Sequence, residues 1–331
     1  MLKSLVRAGI VATLSTVSVN IAAAQNGGLA SSKCASGIAQ DACQQAYDVY
    51  QFLAPQLGVA LAGGNATIGQ GSVLGGLGHF SVGVRANVLQ GVVPDIGNNG
   101  FSQSTTGAQR NTLPTKTMVV GLPTADAAIG IFKGFRLPLT NILGVDALAS
   151  AAYIPTITSN NVSITPQNNW QFGVGGRLGL LSESIVVPGV SFTWIERDLP
   201  QADLVGTSGA NTLSVSDFKV KTSAWRIVAS KSFIVFGLAV GAGQDKYDQS
   251  ATITGTVSQS GFSGTESVDG TLPSMTRTNI FGDLSLNLPI FKIVGEVGQV
   301  SGGSAPTYNS FKDGSADRSL VYGSLGLRLS W

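Results

Sequence analysis

Of the 331 residues in this chain, one is histidine and two are cysteine. A hydrolytic site built on a histidine base needs a nucleophile and an orienting partner around it. His79 is the sole candidate; it lies at the start of an alternating apolar run, on the polar register, and reads as a lumen or interface residue. No enzymatic activity is expected. One histidine and no CxxC pair leave no ligand set for a metal, so neither a metal nor a cofactor is expected. Gly63-Gly64-Asn65-Ala66-Thr67-Ile68-Gly69-Gln70-Gly71 is glycine-rich enough to suggest a phosphate cradle, but it lacks the GK[ST] ending and the GxGxxG spacing. It reads as a connector.

The remaining chemistry is charge, and there is little of it. Charged residues make up 11% of the chain, against roughly 25% in an average soluble domain. The formal net charge of +2 vanishes if Lys3 and Arg7 are removed with a leader. A balanced chain has no electrostatic footprint for nucleic acid, so no nucleic-acid partner is expected. Mean hydropathy is +0.26. The chain is too apolar for disorder and too poor in charge for an ordinary soluble enzyme.

Several elements must position these few groups. Lys3 and Arg7 precede an apolar stretch over 10–21 and the small residues Ala22, Ala23 and Ala24, the pattern of a signal peptide spanning 1–24. Export implies an oxidising compartment, where Cys34 and Cys43 are expected to form a disulfide. No later run of about 18 apolar residues offers a transmembrane helix. Residues 25–54 carry helical spacing (Ile38, Ala42, Ala46, Val49), and Pro55 is expected to stop the pattern.

From residue 77 onward the period is two. Phe80, Val82, Val84, Ala86 and Val88 alternate with His79, Ser81, Gly83, Arg85 and Asn87; Trp170, Phe172, Val174, Leu178 and Leu180 alternate with Gln171, Gly173, Gly175, Arg177 and Gly179. Such alternation gives each strand one apolar face and one small or polar face. The second face is mostly Gly, Ser and Ala with about one ionisable group per strand, which suits a crowded lumen and places the apolar face against lipid. Strands are expected near 77–91, 124–136, 142–155, 169–181, 185–198, 214–230, 233–247, 274–287, 290–300 and 319–331. Four short connections, around Pro138-Leu139-Thr140, Glu183, Ser232 and Pro289, alternate with five long ones over 92–123, 156–168, 199–213, 248–273 and 302–318. The fold class is therefore all-β, a transmembrane antiparallel barrel over 77–331 with about ten strands. Twelve are possible if 57–61 and 115–122 contribute another pair. A soluble sandwich is the alternative fold.

The leader and connector, 25–76, are expected to cap the inner mouth of this barrel or to plug its lumen, since Phe52, Leu53, Leu57, Val59 and Leu61 are too apolar for water. Ten charges are expected on the lumen face: Arg85, Asp146, Arg177, Lys219, Lys221, Asp245, Asp283, Lys292, Glu296 and Arg328. They either pair with one another and fill the barrel or line a pore with a weak preference for anions.

The chain ends on Leu325, Leu327, Leu329 and Trp331, alternate residues of a terminal strand. This ending resembles the C-terminal signal of bacterial outer-membrane β-barrel proteins. The resemblance implies the outer membrane as location, with its lipid and the barrel-assembly machinery as partners. The N-terminal helix with its glycine-rich stretch is similar to the plugged lumen of long-chain fatty-acid transporter barrels, but their Asn-Pro-Ala motif is absent and ten strands fall short of their fourteen. Ten strands leave at most a narrow passage. Passive transport of small or amphipathic solutes is the expected function, with a structural or surface-interaction barrel as the alternative.

Overall fold

The computed structural model describes residues 30–96, 107–159, 162–199, 201–259 and 261–331; the expected signal peptide lies outside the described residues. Ten antiparallel strands form a closed barrel: β1 (Phe80–Pro94), β2 (Thr115–Phe132), β3 (Gly144–Tyr153), β4 (Trp170–Leu181), β5 (Gly189–Asp198), β6 (Asn211–Ser232), β7 (Phe236–Gln259), β8 (Leu272–Asn287), β9 (Phe291–Val300) and β10 (Leu320–Ser330). Each strand pairs with the next in sequence. β10 then pairs with β1, placing Ser81 opposite Ser330 and Leu89 opposite Tyr322. At that seam the Phe80 and Trp331 backbones exchange hydrogen bonds of 3.1 and 2.9 Å, and their rings stack at 4.8 Å. A closed ladder leaves no unpaired edge at membrane depth, and it rules out the two-sheet sandwich.

The faces match the sequence pattern. Val84, Val174 and Leu325 point outward and are 56%, 64% and 65% exposed, while Arg85, Gln171 and Arg177 on the same strands are buried in the lumen. Leu327 and Trp331 also face out. This outward apolar surface is what a bilayer solvates. All four expected short turns lie on the side where β1 begins and β10 ends, and the long connections lie on the other.

The long connections carry more structure than expected. β2 begins at Thr115, opposite Pro94 of β1, and rises past β3, while β7 runs to Gln259, past β8. Phe262–Asp269 pairs back onto the outer part of β7. On the other flank Ala202–Ser208 pairs with β6, Val162–Pro166 with that strand, and Ile157–Ser159 with Val162–Pro166. Their composition of Ser, Thr and Asp reads as loop. Yet alternation persists: Ile253 and Val257 are buried while Thr254 and Thr256 face out and bond to Ser267 and Thr265. Cross-strand hydroxyl pairs of this kind stabilise sheets.

Two further expectations need correction. The extra strand pair does not exist, because 57–61 belongs to a helix and 115–122 is the upper half of β2. The helix, α1, spans Gln40–Ala62 with Pro55 inside it. Proline removes one helical hydrogen bond, but α1 is buried along nearly its whole length, and that enclosure outweighs the local loss.

If the outward face is lipid-facing, Val174→Arg should destabilise the barrel by about 2–4 kcal/mol, and Val174→Leu should be nearly neutral. Unfolding titrations of the refolded protein in lipid vesicles measure both.

Candidate functional site: a lumen filled by the N-terminal segment

The chain enters the barrel from the long-loop end. The Ala30 carbonyl accepts a 2.9 Å hydrogen bond from Arg110, which lies in the long β1–β2 connection. Cys34 and Cys43 are joined in a disulfide, with Cα atoms 6.0 Å apart. The leader is therefore not a cap on the inner mouth. It lies under the outer loops, and α1 runs inward from there.

The outer half of α1 packs in an apolar collar. Tyr50 meets Phe218 edge-on at 5.5 Å, and Phe52 stacks on Phe311 at 4.0 Å. Leu89, Leu113, Leu213 and Ile253 complete the cluster. Gly58 lies against the Tyr247 ring, where a Cβ would approach to 2.6 Å, so only glycine allows the helix this close to β7. The loop carrying Phe311 is held by its parallel pairing with Thr112–Leu113.

Asp48 ties this half of α1 to the same loop. Its carboxylate accepts bonds from the amides of Tyr308 (3.0 Å) and Asn309 (2.9 Å), the Asn309 side chain (2.7 Å) and Gln44 (3.1 Å). It stands two turns above Gln56, whose amide reaches the Val92 backbone at the outer end of β1, and so lies beyond the bilayer-facing band. Burial raises the Asp48 carboxyl to about 6, against the lowering effect of those four bonds.

The helix ends in mid-lumen among arginines. Arg226 donates to the Ala62 carbonyl (3.3 Å), Arg85 to Gly63 (3.0 Å) and Asn87 to Gly63 (3.3 Å). Cations are favoured at a helix C-terminus, where the carbonyls lack intrahelical partners. The connector then continues inward without regular secondary structure, and the wall supplies its hydrogen bonds. Glu296 accepts from the Asn65 amide (2.9 Å), Asp283 from Gly69 (2.8 Å), Ser230 from Gly71 (2.8 Å) and Asp146 from Leu74 (3.2 Å). Arg328 donates to the Ile68 carbonyl (2.7 Å) and Arg177 to the Thr67 hydroxyl (2.5 Å). A cavity of about 10 Å³ remains between connector and wall, lined by Ala66, Thr67, Arg85, Asp126 and Arg328. It is scarcely the size of one water.

Of the ten expected lumen charges, Arg85, Asp146, Arg177, Asp245, Asp283, Glu296 and Arg328 are buried inside the barrel, and Lys292 is half-buried near the inner end. Lys219 and Lys221 are not in the lumen; both are exposed on the outer face, Lys221 beside Glu196 at 3.6 Å. A bulge in β6 between Ser216 and Lys219, where Asp217 takes a φ of 53°, moves the inward set from odd positions (Leu213, Val215) to even ones (Phe218, Val220, Thr222). One extra residue reverses every later side chain. The same shift turns Arg226 inward, where it pairs with Asp245 at 2.5 Å. Asp126 and Arg197 also face the lumen, beyond the ten expected there. Alternation from Thr124 to Ala128, and from Ser191 and Thr193, marks both as inward. The remaining buried pairs are Arg177–Asp146 at 2.6 Å and Arg85–Asp126 at 2.7 Å.

No protein-family model matches the chain, and no curated protein matches it. Among solved structures, the transport unit of the autotransporter AIDA-I from Escherichia coli aligns at 9% identity over 88% of this chain and 99% of that one, with a TM-score of 0.29. The toluene transporters TbuX of Ralstonia pickettii and TodX of Pseudomonas putida align at 11% and 10% identity over 82% of this chain. They are covered over 95% and 96% of their own lengths, with TM-scores of 0.27 and 0.28. The closed antiparallel ladder with its apolar exterior is the architecture of a transmembrane β-barrel.

The lumen geometry can be tested in two ways. Arg177→Gln strands Asp146 as an unpaired buried charge and should destabilise the barrel by about 3–5 kcal/mol, whereas Arg177→Gln with Asp146→Asn should recover much of that loss; unfolding titrations of the three proteins measure it. An epitope inserted before Ala30 should bind antibody on intact cells, because α1 starts at the outer mouth. Labelling only after the outer membrane is permeabilised would contradict that threading.

Proposed function

We propose that this barrel is an outer-membrane channel closed by its own N-terminal segment, passing small or amphipathic solutes when residues 63–76 and α1 withdraw. One observation carries the reading: no residue of α1 or of 63–76 is part of the barrel ladder. The segment is held by side chains and packing alone, so it can leave while every inter-strand bond stays in place. The wall behind it changes from apolar at the outer half (Leu89, Leu213, Tyr247) to charged at the inner half (Asp146, Arg177, Glu296, Arg328). That gradient supports an amphipathic solute. No enzymatic step is part of this proposal; His79 is exposed at the inner rim.

A specific observation also favours a second reading. β6 and β7, at 22 and 24 residues, rise far above the strands beside them and carry flanking strands with a hydroxyl-rich outer face. Such a wall would serve a barrel that presents a binding surface outside the cell.

Planar-bilayer recordings separate the two. Removing residues 25–76, which takes out α1 and the connector together, should raise single-channel conductance severalfold while the barrel still inserts. Absence of conductance both before and after the deletion would defeat the channel reading in favour of the surface-interaction barrel.

A further inference from the structure

Among the described residues, Arg197 is a lumen cation that neither the plug nor the ion pairs use. Arg197 on β5 is 2% exposed and faces inward. Its cross-strand neighbour on β4 is Gly173, where a Cβ would come within 2.6 Å of both Arg197 Cγ and Ser150 Oγ. The missing side chain lets the arginine lie across β4, so that its Nε donates to Ser150 on β3 at 3.3 Å. Nη1 and Nη2 have no acceptor among the described residues. Two residues along β4 from Gly173, on the same inward face, the Gln171 side chain is 3% exposed and its amide nitrogen also lacks an acceptor.

The charged neighbours of Arg197 are Arg85, Asp126, Arg226 and Asp245. Both carboxylates are already engaged, Asp126 by Arg85 and Asp245 by Arg226. Asp126 keeps one oxygen unbonded, but sharing one carboxylate between two arginines still leaves a positive charge in excess. A buried guanidinium with two idle nitrogens and no counter-charge is strongly disfavoured. A guanidinium edge presents parallel N–H groups that match two oxygens of one anion.

We propose that Arg197 and Gln171 form an anion-binding site on the lumen wall, taking a small carboxylate or an inorganic oxyanion between the Arg197 terminal nitrogens and the Gln171 amide. The site lies on the wall and goes beyond the channel proposal without resting on it.

The test is a thermal-stability titration of the full-length barrel in detergent at fixed ionic strength, with acetate in one series and inorganic phosphate in another. The unfolding midpoint should rise and saturate in at least one series. In Arg197→Gln the half-saturating concentration should increase by at least about tenfold. Gln171→Leu, which keeps the positive charge, should weaken binding by a smaller factor and serves alone if Arg197→Gln fails to fold. Response to only one anion supports the site and assigns its class. Equal response of wild type and the variants overturns it, since the effect is then a general action of salt. A flat response of the wild type to both anions also overturns it, because the idle donors are then satisfied by water.

Discussion

Residues 63–76 have no strand or helix to pair their backbone, and they are buried inside a barrel. The amides and carbonyls they bring into the lumen that the segment does not pair itself must be met by the wall, because an unpaired polar group away from water loses about as much as a hydrogen bond is worth. The wall meets them with charge. Glu296, Asp283 and Asp146 accept from the amides of Asn65, Gly69 and Leu74, and Arg328 and Arg85 donate to the carbonyls of Ile68 and Gly63. The lumen charges therefore do two things at once. Some neutralise each other across strands, and the same groups hold an irregular segment that no ladder supports.

That arrangement accounts for the division of the lumen. At the outer half α1 satisfies its own backbone, so the surrounding wall can be apolar, and Tyr50, Phe52, Phe218 and Phe311 form the contact. At the inner half the backbone is unwound and the wall must be polar. The boundary falls at the helix C-terminus, where free carbonyls face Arg85 and Arg226.

Strand positions are legible from the chain. Alternation in 169–181 or 319–331 involves five or six consecutive pairs of residues, and a closed barrel gives each strand the same two environments, lipid and lumen. Less legible are the segments above the membrane, where Thr and Ser replace the apolar outward residues. Water solvates that face, so the chain keeps its strand conformation without the composition that marks one. Pro55 misleads for a related reason, since a local penalty indicates a helix end only when packing does not compensate for it.

The sequence by itself determined the ten strands, the inward position of Arg85, Asp146, Arg177 and Arg328, and the short turns, because each is a property of a few adjacent residues and the period of a strand. Tertiary structure decided which charge meets which, since Arg226–Asp245 and Arg85–Asp126 lie on neighbouring strands whose register is set by the whole ladder. It decided the faces of Lys219 and Lys221, through a bulge at Asp217 that the pattern does not announce. It also decided that the leader enters from outside: direction through a closed barrel depends on contacts such as Ala30 with Arg110 and Asp48 with Asn309, made between residues 80 and 261 positions apart.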